Sequence, residues 1–357
     1  MDIKEATAAY ELWLGKKISL IPADLKLKHQ RMAENVFRFL RATFYRWSQL
    51  WPDICPDLAK APAVLGVGDL HVENFGTWRD SEGRLIWGVN DFDEVSEIPW
   101  PVDLVRLTVS AHLAIGEGAA FCEPAEACAA ILDGYTEGME RGGQPFVLAE
   151  RHLWLRVLAV HRLRDPSKFW DKMNGWPKAG SLPPLIEETL IRALPESPAA
   201  FRVLHRQAGL GSLGRRRFTL VAQWRGGWVA REAKELAPSA WLWNEKSQHG
   251  NIFYAQAVTR AVRVPDPTVS VRARWLLRRL APDCSRIELS QLPKKRDALK
   301  LLKAMGFETA NIHLGTKNAA QRITADLKKR PARWLYEAAQ AMEQATRADW
   351  RSWCANY

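Results

Sequence analysis

The chain has 357 residues, enough for one large domain or two ordinary ones. Hydrophobic residues make up 47% of it and 17 residues are tryptophan, which excludes a disordered chain and predicts a substantial core. The formal net charge of +11 favours anionic ligands such as nucleotides, phosphorylated substrates and nucleic acids.

The cysteines and the N-terminus indicate the compartment. No two cysteines form a C-x-x-C pair; they are Cys55, Cys122, Cys128, Cys284 and Cys354. An odd, scattered set fits a reducing cytoplasm better than a disulfide scaffold. The N-terminus shows no basic region followed by an apolar stretch, and no run of about 18 apolar residues occurs. We therefore expect a cytoplasmic protein without a signal peptide or a membrane span.

The first part of the chain predicts helices. Residues 1–25 favour a short helix and a connector, and residues 26–51 favour one long amphipathic helix that ends near Pro52. Its core-facing stripe consists of Phe37, Leu40, Phe44, Trp47 and Trp51. Three basic residues on this helix are expected to have surface roles: Lys28, His29 and Arg41.

Residues 62–94 alternate apolar runs with dense polar loops. Residues 63–65 and 85–89 predict buried strands, and residues 75–78 predict another strand between them. The polar residues that follow the first and last of these strands are Asp69, His71, Glu73 and Asn74, and then Asn90, Asp91, Asp93 and Glu94. Carboxylates and an amide at neighbouring strand ends suit Mg²⁺, which also takes water and substrate phosphate as ligands.

Helices dominate the next hundred residues. The predicted helices cover about 103–113, 124–139, 150–163 and 185–194. The third is apolar on most sides, so we expect it to be buried. Further helices are predicted at about 296–305 and 318–353, the last one broken or kinked at Pro331.

A glycine-rich loop changes the character of the chain near residue 209. Gly209, Gly211 and Gly214 form a G-x-G-x-x-G, a weak signal on its own. A dinucleotide-binding loop opens a helix, whereas residues 217–224 and 228–234 predict a β-hairpin. A glycine loop that feeds a hairpin, with Lys on the second strand, is typical of the phosphate-covering loop of kinases. A glycine-rich connector with a surface lysine is the other interpretation.

These motifs resemble the catalytic core of aminoglycoside-phosphotransferase-like and other protein-kinase-like enzymes. The matching stretches are residues 68–76 (Gly-Asp-Leu-His-Val-Glu-Asn-Phe-Gly), 90–94 (Asn-Asp-Phe-Asp-Glu) and 103–107 (Asp-Leu-Val-Arg-Leu). Taken together they look like the bacterial family known as domain of unknown function 2252. That family name implies no established substrate.

The resemblance assigns roles to residues of the first part of the chain. It implies that Asp69 accepts the proton of a substrate hydroxyl, and that Asn74 and Asp91 hold the metal ions on ATP. Asp93 is an additional candidate metal ligand, and His71 is expected to brace the catalytic loop through hydrogen bonds. A further residue, Asp103, resembles a structural aspartate of these enzymes.

It also implies roles for the later residues. Lys234 would pair with the phosphates of ATP beneath Gly209, Gly211 and Gly214. Glu245 is the candidate partner that orients Lys234, whereas Glu232 and Glu235 are expected to face the opposite side of the strand. Residues 274–282 predict a strand that runs into a hinge.

The order of the motifs predicts a circular permutation. In ordinary kinases the glycine loop precedes the catalytic loop, whereas here it follows by about 140 residues. A site depends on convergence in space, and permutation is tolerated at exposed loops. We expect an α+β, kinase-like two-lobed fold: residues 1–200 in the helix-rich larger lobe, 201–282 in a small β-rich nucleotide-binding lobe, and 283–357 as a helical return.

The sequence thus predicts an ATP- and Mg²⁺-dependent phosphotransferase acting on an unidentified small-molecule or protein hydroxyl. One alternative is a non-catalytic kinase-like module that binds nucleotide. Another is a metal-dependent phosphoesterase, since Gly-Asp-x-His occurs in such enzymes, but their other histidine motifs are missing. The basic charge leaves nucleic-acid binding open, although solvated helix faces explain it equally simply.

Overall fold

The computed structural model describes residues 1–116, 122–149, 151–161, 165–247, 250–282 and 295–355. Within these ranges the protein is a mixed α+β structure, with helices and several antiparallel sheets. None of the helices described there is both long and apolar enough to cross a membrane. The predicted hinge beyond residue 282 and Cys284 lie outside the described residues.

Short helices open the chain. They are α1 (Ile3–Gly15), α2 (Pro22–Glu34), α3 (Val36–Ala42), α4 (Phe44–Ile54) and α5 (Pro56–Ala59). The prediction of one helix over 26–51 is wrong because Asn35 is extended and its side chain accepts a hydrogen bond from the Arg38 N–H at 2.8 Å, which caps a new helix. Thr43, also outside helical geometry, makes the second break. The predicted stripe is nevertheless buried throughout.

Two small sheets and a set of helices follow. The strands are β1 (Ala63–Gly66), β2 (Phe75–Arg79), β3 (Leu85–Val89), β4 (Ser96–Pro99) and β5 (Phe146–Val147). β1 pairs with β4, and β3 lies between β2 and β5, all antiparallel. The helices are α6 (Pro101–Gly116), α7 (Pro124–Arg141), α8 (Leu153–His161), α9 (Pro166–Asn174) and α10 (Pro184–Arg192). The expectation that α8 is buried on most sides is wrong, since Leu153 and Val157 are more than half exposed.

A five-stranded antiparallel sheet occupies the middle of the second half. Its strands are β6 (Phe201–His205), β7 (Arg217–Trp224), β8 (Gly227–Glu235), β9 (Ser270–Arg272) and β10 (Trp275–Leu280). The spatial order is β6-β7-β8-β10-β9, and the predicted β7–β8 hairpin is confirmed. One face packs Phe218 and Leu277 against Leu190 of α10. The opposite face carries charged side chains. In the register of the strands, Lys234 lies beside Arg217, and Glu232 lies beside Arg278.

The last helices return to the first half of the chain. They are α11 (Ala240–Asn244), α12 (Tyr254–Arg260), α13 (Lys295–His313), α14 (Ala319–Leu327) and α15 (Trp334–Ala355). Pro331 separates α14 from α15, as predicted. Trp100 and Tyr135 share one hydrophobic core with Met305 and Trp334, so α13 and α15 complete the core that the first 150 residues begin.

Candidate functional site

The polar loop after β1 is fixed by a buried aspartate. Asp103, at the start of α6, accepts hydrogen bonds from the N–H groups of Val67 at 2.7 Å and Gly68 at 2.8 Å. Gly68 has a φ of +78°, and a Cβ there would lie 2.4 Å from the carbonyl oxygen of Glu94. The loop therefore requires glycine immediately before Asp69.

Asp103 is itself held from the far end of the chain. His313 Nε2 lies 2.9 Å from the Asp103 carboxylate, and His313 Nδ1 lies 2.7 Å from the Tyr135 hydroxyl. All three side chains are fully buried. This chain of hydrogen bonds connects α6, α7 and α13 behind the loop, so it positions the loop from a distance.

Asp69 lies at the base of a cavity and is paired with Arg106. Arg106 Nε donates to the Asp69 carboxylate at 3.0 Å, and its Nη2 donates to the same carboxylate and to the carbonyl of Leu40. The guanidinium lies 5.0 Å from the ring centres of both Phe44 and Trp47. Burial raises the pKa of Asp69, although the charge of Arg106 opposes this. A carboxylate with a raised pKa is a stronger proton acceptor once ionised.

His71 and Asn74 shape the same loop. His71 Nδ1 accepts a hydrogen bond from the Glu73 N–H at 3.2 Å, which is a bracing contact within the loop. The Asn74 amide donates to the carbonyl of Asp91 at 3.0 Å and, at 3.4 Å, to that of Asp69. Asn74 thereby ties the loop after β1 to the residues after β3.

Lys234 joins the two halves of the chain at the residues after β3. Its side chain is fully buried, and its Nζ lies 3.1 and 3.2 Å from the carboxylate oxygens of Asp91 and also contacts Asp93. Burial opposes ionisation of Asp91, but Lys234 and a hydrogen bond from Asp93 outweigh it and hold the pKa of Asp91 well below its ordinary value. Burial and the neighbouring Asp91 raise the pKa of Asp93 to about 6.

Arg215 and Glu94 form a further ion pair next to Asp93. The Arg215 guanidinium donates to Glu94 at 2.7 Å and lies 3.8 Å from Asp93. The other Glu94 oxygen accepts the N–H of Ala240 at 2.7 Å. From the sequence, Glu94 was only one of the carboxylates that follow a strand, and Arg215 had no expected role. Their pairing joins residues that are 121 positions apart in the chain.

The glycine loop reaches the polar loop after β1. Gly209 has a φ of +75°, and a short 3-10 helix, Leu210–Ser212, follows it. A Cβ on Gly211 would lie 3.2 Å from the Asp69 carboxylate and 2.9 Å from the carbonyl of Arg41. Gly214 instead lies against the side chain of Leu25 in α2. The structure thus brings Gly209 and Gly211, but not Gly214, to the cavity around Asp69.

Two adjoining cavities define the site. The first, of about 50 Å³, is lined by Asp69, Asn74, Asp91, Asp93 and Gly211 among others. The second, of about 110 Å³, shares Asn74, Asp91 and Gly209 with the first. It extends along the charged face of the five-stranded sheet, where its lining includes Arg206, Arg217 and Arg278.

The structure does not bring Glu245 to Lys234, and it corrects the expected face of Glu232. Glu245 is exposed and accepts a hydrogen bond from the indole of Trp241 at 2.8 Å, and in the described part of the chain Lys234 forms its ion pairs with Asp91 and Asp93. Glu232 shares the face of Lys234, because residues two apart on a strand point the same way. Only Glu235 lies on the opposite face, where it pairs with Arg216 at 2.8 Å.

Two of the basic residues assigned to the surface of the N-terminal helix line the first cavity. Lys28 is 2% exposed, lies 5.4 Å from the Tyr45 ring centre, and burial lowers its pKa. Arg41 pairs with Glu73 at the rim of the cavity. The side-chain spacing that predicted the helix could not show which part of it faces the later glycine loop.

The oxygen ligands at the site suit a hard cation. Within the described ranges, no group of three or more His, Cys, Asp and Glu side chains has the arrangement of a metal site. Mg²⁺ commonly uses only one or two carboxylates together with substrate phosphates. Asp93 Oδ1 is buried and lacks a hydrogen-bond partner within the described part of the chain, so it has acceptor capacity that a cation would use. Asp91, Asp93 and Asn74 therefore fit the predicted ion.

Comparison with known proteins covers the first part of the site. The sequence model of a family described as "Uncharacterized protein conserved in bacteria (DUF2252)" matches residues 20–165. No curated protein and no solved structure matches the chain. The matched segment contains Asp69, Asn74, Asp91 and Asp103, and it ends before the glycine loop and Lys234.

Proposed function

Proceeding from the likeness of residues 20–165 to that bacterial family, we propose that the protein is an ATP- and Mg²⁺-dependent phosphotransferase that phosphorylates a hydroxyl group. The observation that carries this proposal is the buried contact of Lys234 with Asp91 and Asp93. In protein kinases a lysine on the third strand and a metal-binding aspartate act together on one nucleotide. Here Lys234 lies on the third strand of the five-stranded sheet in chain order, after a glycine loop.

Each side chain has a defined task in this proposal. Asp69 takes the proton of the acceptor hydroxyl as that oxygen bonds to the transferred phosphorus, and the nucleoside diphosphate leaves. Arg106 fixes the orientation of Asp69. Lys234 holds phosphate oxygens, and Asp91, Asp93 and Asn74 hold Mg²⁺, which supplies the charge that phosphoryl transfer needs. Most of the catalytic effect then comes from positioning and electrostatics.

The size of the cavities sets a condition on binding. Sites that enclose small molecules usually measure about 300–1,000 Å³, and neither cavity reaches that volume. A nucleotide would therefore extend across both cavities, which share Asn74, Asp91 and Gly209, and neither cavity would enclose it alone. The five-stranded sheet and the remaining helices would act as the two lobes of a kinase-like fold in permuted order.

A binding-only module is the second candidate. It is favoured by the ion pair between Asp69 and the fully buried Arg106, because this pair engages the carboxylate that would act as the base. In that case nucleotide would bind at Lys234 and Asp91 without transfer.

The test is the thermal midpoint of the purified protein with and without ATP and Mg²⁺. A ligand at a hundredfold excess over its Kd stabilises the native state by about 2.7 kcal/mol. We expect a Mg²⁺-dependent rise that Asp91→Ala and Lys234→Ala lose. Asp57→Ala, which removes an exposed carboxylate outside the site, should retain it. No rise in the unmodified protein would overturn the proposal, and a full rise in Asp91→Ala would remove Asp91 as a metal ligand.

A further inference from the structure

Three arginines converge on one buried glutamate on the charged face of the sheet. Glu232 is fully buried; one of its oxygens accepts from Arg206 at 2.5 Å and lies 3.5 Å from Arg217. The other oxygen accepts a hydrogen bond from Arg278 Nε at 2.8 Å and lies 2.8 Å from Arg278 Nη2. Burial alone would raise the pKa of Glu232, but the three guanidiniums outweigh it and hold that pKa well below its ordinary value.

The cluster has an excess of positive charge that faces a cavity. One carboxylate balances three guanidiniums only in part, and all three arginines line the second cavity. Among the other acidic groups of that lining, Glu73 pairs with Arg41, and Asp266 accepts hydrogen bonds from the N–H and hydroxyl of Thr268. Asp91 pairs with Lys234, and the charges of Arg217 and Arg278 also act on it. Arg217 is buried, and Arg206 and Arg278 are each 16% exposed. An excess charge that is largely removed from water is costly unless an anion compensates it.

The remaining donors point to the shape of that anion. Arg206 Nε is buried and has no hydrogen-bond partner among the described residues. Arg217 donates to Ser212 of the glycine loop at 2.9 Å, which joins the cluster to the loop beside Asp69. Planar guanidiniums match tetrahedral oxyanions well, because each presents several donors in a fixed fork.

We propose that Arg206, Arg217 and Arg278 form a phosphate-binding subsite next to the Asp91–Lys234 pair. The phosphate has two sources: the polyphosphate tail of the nucleotide, or a phosphate that the acceptor already carries. The inference rests on the proposed function only in naming a nucleotide as one source. Glu232 keeps the three guanidiniums in place when the phosphate leaves.

The test measures the affinity of tripolyphosphate, ATP and inorganic phosphate by calorimetry for the whole protein and two variants. Arg206→Gln removes one donor while Arg217 and Arg278 still neutralise Glu232. Arg202→Gln is the matched control, an exposed arginine on β6. A charge-assisted contact is worth about 1.5–3 kcal/mol, so Arg206→Gln should weaken tripolyphosphate about tenfold or more. Arg202→Gln should leave it unchanged.

The anions distinguish the two sources. Equal weakening of ATP and tripolyphosphate in Arg206→Gln identifies the nucleotide tail. Unchanged ATP affinity, with loss of inorganic phosphate binding to the ATP-saturated protein, identifies the acceptor. If Arg206→Gln folds poorly, Arg206→Lys keeps the charge and should weaken binding by a smaller factor.

Two results would overturn the subsite: no anion binding by the unmodified protein, or equal affinities in Arg206→Gln and Arg202→Gln. The failure of each proposal has its own signature. If Asp91→Ala loses ATP binding, while Arg206→Gln changes the affinity of neither ATP nor the other anions, only the subsite is rejected. If Arg206→Gln weakens tripolyphosphate binding, but ATP and Mg²⁺ do not raise the thermal midpoint of the unmodified protein, only the phosphotransferase proposal is rejected.

Discussion

At the scale of single residues, the environment of Asp69 decides between catalysis and binding alone. Its carboxylate lies beside the glycine loop and beside the residues that would hold the metal, yet it is also the partner of a buried arginine. In the proposed mechanism Arg106 orients the base, and Asp69 remains able to accept a proton because burial raises its pKa. Substitution of Asp69 separates the two functions.

Asp69→Asn should retain the Mg²⁺- and ATP-dependent rise in thermal midpoint but release no ADP with any acceptor that the unmodified protein uses. The amide still accepts a hydrogen bond from Arg106 but takes no proton. Because a buried ion pair loses one charge, stability should fall by up to about 3–5 kcal/mol.

The matched control for Asp69→Asn is Asp349→Asn, which breaks the Arg46–Asp349 pair away from the site. It should lower stability while preserving ADP release. Full turnover in Asp69→Asn would show that Asp69 is not the base.

Candidate site residues could be predicted from the sequence where their type and spacing form a motif. Residues that join the site through contacts between distant parts of the chain could not. Asp69, Asn74 and Asp91 were readable because they follow short apolar strands at characteristic intervals, and the structure brings them together. Lys28 and Arg215 were not readable as site residues. Both are buried only because α2, the glycine loop and the residues after β3 meet in space, which no local pattern records.

At the scale of elements, the close crossing of α7 and α13 supports the site from behind. A Cβ on Gly134 would lie 1.8 Å from the carbonyl oxygen of Lys303, and one on Gly306 would lie 2.0 Å from that of Ile131. Inside a helix, glycine is less favourable than alanine by about 1 kcal/mol. Here it lets two helix backbones touch, and α13 can then present His313 to Asp103.

Gly134→Ala should therefore destabilise the protein despite the gain in helix propensity. The new methyl group meets backbone that cannot rotate away, and overpacking of this kind costs about 1–3 kcal/mol or more. Gly116→Ala is the control, since among the described residues a Cβ there would meet only the tip of Arg347, at 3.4 Å. Urea unfolding of both variants provides the measurement. Equal or increased stability in Gly134→Ala would contradict the close approach of the helices.

The element scale also shows where periodicity misleads. The apolar stripe from Phe37 to Trp51 is buried, but it is divided between α3 and α4. Apolar residues at helical spacing show which face packs against the core. They do not show that one extended residue, such as Asn35, divides the helix. The β7–β8 hairpin was predictable because its turn and strand signals are local.

At the scale of the whole molecule, a buried glutamate links three distant parts of the chain. Glu308 of α13 accepts hydrogen bonds from the Val89 N–H at 3.2 Å and from the Asn311 side chain at 2.8 Å. The charge of Arg263 also acts on it. Burial raises the pKa of Glu308 to about 7, although Arg263 and the two hydrogen bonds oppose the shift.

This shift predicts the pH dependence of global stability. The native state binds the Glu308 proton more tightly than the unfolded chain, so between the ordinary glutamate pKa and about 7 the native state holds more protons. Stability from this group is therefore present at low pH and is lost as pH rises through that window, by roughly 3 kcal/mol in total. Asp93, whose pKa is raised to about 6, contributes with the same sign.

Glu308→Gln should flatten this dependence, because the amide resembles the protonated carboxyl and does not titrate. We expect the unfolding free energy of Glu308→Gln, relative to that of the unmodified protein, to rise between about pH 4.5 and pH 7. Urea unfolding at a series of pH values measures the difference, which cancels the titration of Asp91 and Asp93. Glu97→Gln, at an exposed position of β4, should show no such trend. A difference that stayed constant with pH would mean that Glu308 ionises as easily in the folded protein as in the unfolded chain.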